Sequence, residues 1–317
     1  MNKTMMAAGA AAAALLAAGA VFAQPPAGGP PGGGAPGAPG GPGGPPGGGG
    51  PPPQQPLQIK EVKPGVYMVV GNGGNSTVVV GPTGVVLVDT KNPGEKIYDE
   101  LNDKIKSVTS EPVAEVLITH HHADHSGNTL LFLNHGVPVI GHQQELEALQ
   151  TYASNATPRP TAPSITYESE LTTTAGGVKV EAHHWGAGHT AGDTVVYFPA
   201  QKIVSGGDEV VAVTPNCDYP FGGSVTGWLK SLDAIAKLDF DYVIPGHGND
   251  PLTKAQFLEY AKKWHTFVDR ARASVKAGTP KDKLLASIKT DDLGWNVTTA
   301  QWTPPARLDP FYAELSK

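Results

Sequence analysis

The sequence predicts an α+β fold in which two β-sheets lie between layers of helices. β-Branched runs separated by Gly- and Pro-containing turns follow one another from residue 57 onward. Segments with apolar residues at helical spacing lie between and after these runs, and no internal repeat is present. Because each sheet and each amphipathic helix must bury one face, strands and helices in this order predict a layered sandwich.

Three strands joined by tight turns open the predicted fold. They cover residues 66–70, 77–80 and 85–88, with Gly-rich turns at 71–74 and 81–84. A helix is predicted after Pro93, and a strand over 113–118. Since the last segment does not alternate between apolar and polar residues, it is predicted to be buried on both faces.

The second half of the chain mixes short strands with longer helices. Four strands are predicted at 137–140, 177–182, 194–198 and 202–204, followed by a helix at 225–238 and a strand at 242–244. After Pro251 the apolar residues recur every three to four positions. These C-terminal helices, 254–317, carry too few apolar residues for a core of their own, so one domain is predicted over 57–317.

The first 23 residues have the features of a secretory signal peptide. Lys3 precedes an apolar run, rich in Ala and Leu, that ends with small residues at Ala23. A permanent membrane helix is the alternative, but the weakly hydrophobic run and the following Gln-Pro-Pro favour cleavage after Ala23. We therefore expect an exported protein, periplasmic or secreted, with no stable membrane span after cleavage.

Residues 24–56 are predicted to form a disordered linker. This stretch of 33 residues holds 14 Gly and 13 Pro and no charged residue. It has almost no apolar side chain to bury, and ordering glycine costs much entropy. Gly does not recur at every third position, which excludes a collagen helix.

Charge and cysteine content exclude several classes of protein. The net charge is −6, and no block of Lys or Arg is present, which argues against nucleic acid as a partner. The single cysteine, Cys217, excludes an intrachain disulfide and any site built from several cysteines. It is expected to be a partly buried small hydrophobic residue rather than a nucleophile.

A dense group of metal-ligand residues follows the predicted buried strand, in Thr119-His120-His121-His122-Ala123-Asp124-His125. Side chains two apart on an extended segment share a face, so His120 and His122 can bind one ion. Asp124 and His125 can point to a second ion as the chain turns into a helix. His121 alternates away from its neighbours and is expected to be packed or solvated.

Three distant residues of the same chemical kind follow strands and lie beside glycine. They are His189 in Gly-His-Thr, Asp208 in Gly-Gly-Asp and His247 in Pro-Gly-His-Gly. Glycine lets the backbone bend closely, so side chains from separate strands can meet at one edge. Imidazoles and carboxylates at this density suit zinc or a similar ion.

These motifs, in this order, resemble the metallo-β-lactamase-fold superfamily of metallohydrolases, over about residues 62–250. The resemblance implies a four-layer αββα sandwich with a site for two zinc ions. It assigns His120, His122 and His189 to one ion, and Asp124, His125 and His247 to the other, with Asp208 between them. Asp89 resembles the carboxylate that orients a ligand histidine in this family.

Such a centre predicts hydrolysis. Two divalent cations with Asp124, Asp208 and a bridging hydroxide leave a net charge of about +1, which lowers the pKa of bound water towards neutrality. The hydroxide would attack a small ester, lactone, thioester or amide, Asp124 would carry the proton to the leaving group, and the positive charge favours a substrate with an anionic group. In the resemblance, Asp208 favours these branches over β-lactam hydrolysis, because many true β-lactam hydrolases carry Cys or Ser at the equivalent position.

Three alternatives remain open. β-Lactam hydrolysis fits the expected export; an iron oxidoreductase of the persulfide dioxygenase type would leave His125 and His247 unused; and a non-catalytic metal-binding protein would need no substrate at all.

The sequence offers only candidates for the walls of the substrate site. These are the loops 71–75, 152–163 and 215–223, with Tyr219, Phe221 and Trp228. His135 and His142 are expected in loops, and His183 and His184 on a strand without a ligand role. Neither the substrate nor the oligomeric state follows from the sequence.

Overall fold

The computed structural model describes residues 56–151 and 161–317, all of which belong to one compact unit. The predicted signal peptide, nearly all of the linker, and positions 152–160 of one predicted loop lie outside these residues. Seven strands form the first sheet, in chain order: β1 (Gln58–Lys63), β2 (Val66–Val70), β3 (Ser76–Val80), β4 (Val85–Val88), β5 (Val113–Leu117), β6 (Val139–His142) and β7 (Ile165–Tyr167). Strands β1 to β4 pair antiparallel, and β4 to β7 pair parallel.

The second sheet has six strands in reverse chain order. They are β8 (Glu170–Ala175), β9 (Val178–His183), β10 (Val195–Phe198), β11 (Ile203–Val211), β12 (Tyr242–His247) and β13 (Leu252–Thr253). Only β11 and β12 pair parallel. The described helices are α1 (Glu95–Lys106), α2 (Ala123–Ser126), α3 (Thr129–Asn134), α4 (Gln143–Thr151), α5 (Val225–Ile235), α6 (Lys254–Lys276), α7 (Lys281–Ser287) and α8 (Pro305–Leu315).

Three apolar cores separate the layers of the molecule. Between the sheets, residues such as Val86 and Val88 of β4 meet Val196 and Phe198 of β10. The outer face of the first sheet packs on α1 and α3, and the outer face of the second sheet packs on α5 to α8. Because strands such as β4 are covered on both faces, they are apolar without alternation. The predicted αββα sandwich with C-terminal helices is confirmed.

The observed elements differ from the predicted ones chiefly at their ends and in polar strands. The structure adds β1, β7 and β8, whose polar and partly exposed residues carry little apolar signal. Strand β11 continues to Val211 although Gly206 and Gly207 suggested that it would end, because two irregularities in its register accommodate them. Strand β5 is not wholly apolar: its buried Glu115 accepts a hydrogen bond from Thr173 at 2.7 Å.

The C-terminal helices share the core of the second sheet. A capping box at Thr253 and Gln256 starts α6, whose buried face carries Phe257, Trp264 and Phe267. On this face, the ring of Phe267 meets Trp302 edge to face at 5.4 Å and stacks on Phe311 at 5.9 Å. Among the described helices, none is both long and apolar enough to cross a membrane.

Candidate metal centre

The candidate ligands lie at the carboxyl ends of strands from both sheets. In the first sheet, β4 leads to Asp89 and its parallel neighbour β5 leads to His120. In the second sheet, Asp208 lies near the end of β11, and His247 is the last residue of the parallel strand β12. Parallel strands end at the same edge, so this pairing brings the four segments together.

One group of ligand atoms belongs to His120, His122 and His189. The Nδ1 atom of His122 lies 3.1 Å from Nε2 of His120 and 3.0 Å from Nε2 of His189. His189 stands in the loop between β9 and β10, and the other two residues follow β5. Three ring nitrogens facing one point suit a single divalent ion.

A second group of ligand atoms belongs to Asp124, His125 and His247. The Nε2 atom of His247 lies 3.3 Å from Oδ2 of Asp124 and 3.4 Å from Nε2 of His125. Asp124 and His125 are carried by the short helix α2, and the ring of His125 lies beside that of His120, with centroids 4.2 Å apart. A third group, formed by His120, His125 and Asp208, overlaps these two. The assignment of the side chains to two separate ions, which the family resemblance implies, stays a prediction.

Asp208 lies between the two groups. Its Oδ2 atom is 3.5 Å from Nε2 of His189 and 3.4 Å from Nε2 of His247, and its Oδ1 atom is 3.3 Å from Nε2 of His125. Gly246 makes this position accessible, since a Cβ atom there would lie 2.1 Å from Oδ1 of Asp208. A carboxylate in this position can contact two ions at once.

Hydrogen bonds fix the orientation of the ligand rings. Asp89 accepts from Nδ1 of His125 at 2.8 Å and from both the backbone and the hydroxyl of Thr119 at 2.8 Å. The backbone carbonyl of Asn216 accepts from Nδ1 of His189 at 2.7 Å. Each bond leaves Nε2 of the ligand histidine directed to the centre, which is the role expected of Asp89.

Asp218 and Arg307 form a support that the sequence did not predict. Nε2 of His122 donates to Oδ2 of Asp218 at 2.8 Å, which leaves Nδ1 for the metal. Arg307, on α8, lies 3.0 Å from Oδ1 of Asp218 and donates to Oδ1 of Asn216 at 2.8 Å. A single arginine thus holds the segment that orients both His122 and His189. No motif marks it, because α8 reaches the centre only through the packing of the C-terminal helices.

Burial and neighbouring charges shift the pKa values of the candidate ligands. Burial, with neighbouring imidazoles, keeps the pKa of His120 well below its usual value, so the ring is neutral and its lone pair is available. Burial alone would raise the pKa values of Asp124 and Asp208, but the charge of His125 and the contacts with His247 outweigh it and lower both. Burial would lower the pKa values of His125 and His247, but the neighbouring carboxylates of Asp124 and Asp208 outweigh it. They raise the pKa of His125 well above its usual value and that of His247 to about 9. Because neutral imidazoles and ionised carboxylates are the forms that bind metal ions, these two rings would release protons when a metal ion binds.

His121 lies directly behind the centre and is fully buried. Its Nδ1 atom is 3.3 Å from Oε2 of Glu145, and burial raises the pKa of Glu145 to about 8. Its ring also packs on Phe221, with centroids 4.6 Å apart. Packing rather than solvation is therefore the outcome for this residue.

The other histidines outside the motifs have structural contacts. His142 was expected in a loop, and this was wrong: it ends strand β6, is buried, and stacks on His184 with ring centroids 3.8 Å apart. The strand continues to His142 because residues 141 and 142 pair with β7, and the carbonyl of Glu168 accepts from Nε2 of the buried ring at 2.6 Å. His184 contacts the carbonyl of Asp193, His183 stacks on Trp185, and His135 caps the end of α3.

The candidate wall residues are mostly packed. Trp228 is fully buried, and its Nε1 donates to the carbonyl of Glu209 at 2.8 Å, so it supports His189 from behind rather than lining an opening. Tyr219 donates to Glu314 at 2.6 Å. Cys217 is fully rather than partly buried, with Sγ 3.3 Å from the carbonyl of Gly188.

A cavity of about 230 Å³ opens onto the centre, lined by His189, Asp208, Val211, Val213, Thr214, Pro215, Asn216, His247 and Gln301. The donor set fits divalent metal ions, because the ring nitrogens face one another while their second nitrogens are held by hydrogen bonds at His122, His125 and His189. Ions held there would lie at the floor of the cavity, within reach of a small molecule.

Comparisons with known proteins agree with this geometry. The family model "Metallo-beta-lactamase superfamily" matches residues 69–247. The metallo-β-lactamase IND-1 of Chryseobacterium indologenes is 31% identical over 180 residues, which is 55% of this chain and 71% of that protein. The 2,4-dinitroanisole O-demethylase subunit alpha of a Nocardioides species is 26% identical over 67% of this chain, which spans 63% of that protein.

A solved structure shows the same fold. The metallo-β-lactamase from Pontibacter korlensis superposes with a TM-score of 0.56 and 24% sequence identity, over 66% of this chain and 99% of that one. The family model covers more than half of the 317 residues and ends at His247, the last of the seven candidate ligands. The chain belongs to the metallo-β-lactamase superfamily and is a metal-dependent hydrolase.

Proposed function

We propose that this chain binds two zinc ions and hydrolyses a small ester, lactone, thioester or amide. The observation that carries this proposal is the convergence of seven histidine and aspartate side chains, with ligand atoms within 4.8 Å of one another in each group. Zinc is favoured because it binds imidazole nitrogens and carboxylate oxygens, and catalytic zinc sites have few protein ligands, as each group here does.

When bound, the two ions supply Lewis acidity and lower the pKa of water that contacts them. Asp208 and Asp124 supply two negative charges to the centre, and the neutral imidazoles supply none. The remaining positive charge favours a substrate with a carboxylate or another anionic group near the bond that is cleaved.

Asp124 is the residue that we assign to proton transfer. Its side chain is 32% exposed, whereas His125 beside it is fully buried, so it reaches the solvent side of the centre. The carboxylate can take the proton of the attacking water and pass it to the leaving group. Nε2 of His247 lies 3.3 Å from this carboxylate, so the two groups face the same point of the centre.

β-Lactam hydrolysis is a second candidate, favoured by the 31% identity to the metallo-β-lactamase IND-1. An amide in a strained four-membered ring is attacked by the same chemistry, so the centre alone does not separate the two substrates. The family resemblance assigns Asp208 to the position between the two ions, and an aspartate there favours the ester and lactone branches.

We also propose that residues 1–23 are a signal peptide that is cleaved after export, and that the protein is periplasmic or secreted. Residues 24–56 would then form a linker at the start of the mature protein, before the domain over 57–317. The apolar segment before Ala23 and the linker of Gly and Pro support this proposal. N-terminal sequencing of the protein recovered from the periplasm of a bacterial host tests it, with Gln24 expected as the first residue.

The function is tested by metal analysis together with a substrate panel. Purified protein is expected to contain two zinc ions per chain and to hydrolyse at least one of a lactone, a thioester, an aryl ester and a cephalosporin. A chelator should abolish this activity, and added zinc should restore it. One iron per chain with no hydrolysis would indicate an oxidoreductase, and metal without turnover on the whole panel would contradict the proposal.

A further inference from the structure

A second cavity lies beside the one that opens onto the metal centre. Its volume is about 560 Å³, within the range of roughly 300–1,000 Å³ that is typical of small-ligand sites. The two cavities share Val211, Val213 and Thr214 in their walls. The two cavities are therefore adjacent along residues 211–214.

The lining of this cavity is mainly apolar. Aliphatic and aromatic residues make up most of it, namely Val211, Ala212, Val213, Leu252, Ala255, Tyr260, Leu293 and Trp295. Its two charged residues, Glu259 and Lys263, have opposite signs and lie one helical turn apart on α6. Nζ of Lys263 donates to the carbonyl of Leu293 at 2.9 Å, which fixes the ammonium group at the edge formed by that residue. The cavity thus suits an uncharged apolar group.

Val213 marks the junction of the two cavities. Of the three large hydrophobic side chains that are exposed within 56–151 and 161–317, it has the largest exposed fraction, 52%. A ligand that covered it would remove apolar surface from water, which is favourable. A ligand that passes over Val213 would therefore gain binding free energy from the apolar surface that it covers.

The far wall comes from the part of the chain that follows the family match. Trp295 is buried and packs on Trp264 and Tyr260 of α6, with ring centroids 5.4 and 6.2 Å away. Trp302 is buried as well, and its Nε1 donates to the carbonyl of Pro215 at 2.9 Å. These contacts hold the wall in position before any ligand arrives, so little ordering is needed on binding.

We propose that this cavity binds the apolar acyl or alkyl arm of the substrate while the ester or lactone group lies at the metal centre. The inference rests on the proposed function and narrows it to substrates with an unbranched or compact uncharged chain of several carbons. The wall segments 211–214, 252–263 and 293–295 then select the substrate, whereas the candidate metal ligands between positions 120 and 247 supply the chemistry.

The test uses aryl esters of acetic, butanoic and hexanoic acid with the zinc-loaded full chain. Each fully buried methylene is worth about fourfold in binding and about twofold where one side stays open to water, so kcat/KM should rise roughly fifteenfold from acetyl to hexanoyl. Ala255→Trp fills the cavity and should reduce this ratio to below about threefold. Ala273→Trp, on an exposed position of the same helix, should leave the ratio and the activity unchanged.

A binding measurement gives a second readout without turnover. Octanoate should bind roughly fifteenfold more tightly than butanoate by calorimetry, and Ala255→Trp should remove this difference. The proposal would be overturned if kcat/KM and carboxylate affinity did not depend on chain length. It would also be overturned if Ala255→Trp left that dependence intact. So would a dimer that Ala255→Trp dissociates, because the cavity would then be covered by a second copy.

The two levels of the inference fail differently. Absence of hydrolysis for every ester, with two zinc ions bound, would contradict the proposed function, and the carboxylate series would still decide whether the cavity binds a chain. Hydrolysis of acetyl and hexanoyl esters at equal rates would support the proposed function and refute the proposal that the cavity binds the acyl chain.

Discussion

Replacing Arg307 with alanine removes the group that holds the segment 216–218 against the metal centre. The guanidinium contacts Asp218 at 3.0 Å, the side chain of Asn216 at 2.8 Å and the carbonyl of Cys217 at 3.1 Å. Burial raises the pKa of Asp218, but the hydrogen bond from His122 and the charges of His122 and Arg307 outweigh it and keep the carboxylate ionised. Without Arg307, this carboxylate keeps the hydrogen bond from His122 but loses its arginine partner.

The magnitude follows from the exposure of the two partners. Breaking a fully buried pair costs about 3–5 kcal/mol, but the Arg307 side chain is 23% exposed and water can enter its place, so we expect a loss of about 2 kcal/mol in unfolding free energy. Loss of the residues that orient metal ligands typically costs about 10–100-fold in metal affinity. We expect about tenfold weaker binding of the ion held by His120, His122 and His189, with less than threefold change at the other ion.

Zinc affinity is measured by competition with a chromophoric chelator, and cobalt spectra distinguish the all-histidine position from the one with Asp124. Arg270→Ala is the matched control. Arg270 lies on α6, away from the centre, and donates two hydrogen bonds to the carboxylate of Asp292, each of 2.8 Å. The zinc affinity of Arg307→Lys should lie between those of the wild type and Arg307→Ala. Lysine keeps the positive charge but lacks the planar set of N–H donors that contacts Asp218 and Asn216 together. Equal loss of affinity in Arg270→Ala, or unchanged affinity in Arg307→Ala, would refute the reasoning.

Three further predictions concern single residues. Asp124→Asn should lower kcat by about 10²–10⁴-fold, and retention of both ions with full turnover would remove Asp124 from proton transfer. Native protein should resist thiol reagents at neutral pH, because burial raises the pKa of Cys217 well above its usual value, whereas unfolded protein should react with one equivalent; stoichiometric labelling of the native protein would contradict this. Burial and the nearby His184 lower the pKa of His142 to about 4 from an ordinary value of 6.5. The unfolded state therefore binds an extra proton between these values, so stability of the metal-free protein should fall as pH drops from about 6.5 to about 4. His142→Gln should flatten that fall in urea titrations at pH 7 and pH 5, and an equal slope in both proteins would contradict the assignment.

Much of the fold is encoded locally. The apolar strands 66–70 and 85–88 and the helix beginning at Val225 have strong periodic signals, and the structure confirms them. Strand β8 has the burial pattern of a solvent-facing edge and only polar or small residues at most positions, so its sequence carries no apolar signal. The course of β11 past Gly207 depends on its pairing with β12, which no local pattern encodes.

The candidate ligands were also accessible from the sequence, and the reason is chemical. Histidine and aspartate are common metal ligands, and His189, Asp208 and His247 each lie next to glycine after a predicted strand, so they stand out although they are far from His120. The assignment of these ligands to two zinc ions stays a prediction until metal is measured. The supporting residues have no such signature: Asp218 and Arg307 look like ordinary charged residues in a loop and a helix.

The sequence by itself determined the class of chemistry. Metal ligands must be particular side chains, and here they occur in short motifs that can be read from neighbouring residues. Tertiary structure alone decided which carbonyl and which carboxylate orient each ring, that an arginine of α8 reaches the centre, and that Val213 separates two cavities. These features arise where segments distant in sequence pack together, and their positions depend on the shape of the whole core rather than on any local pattern.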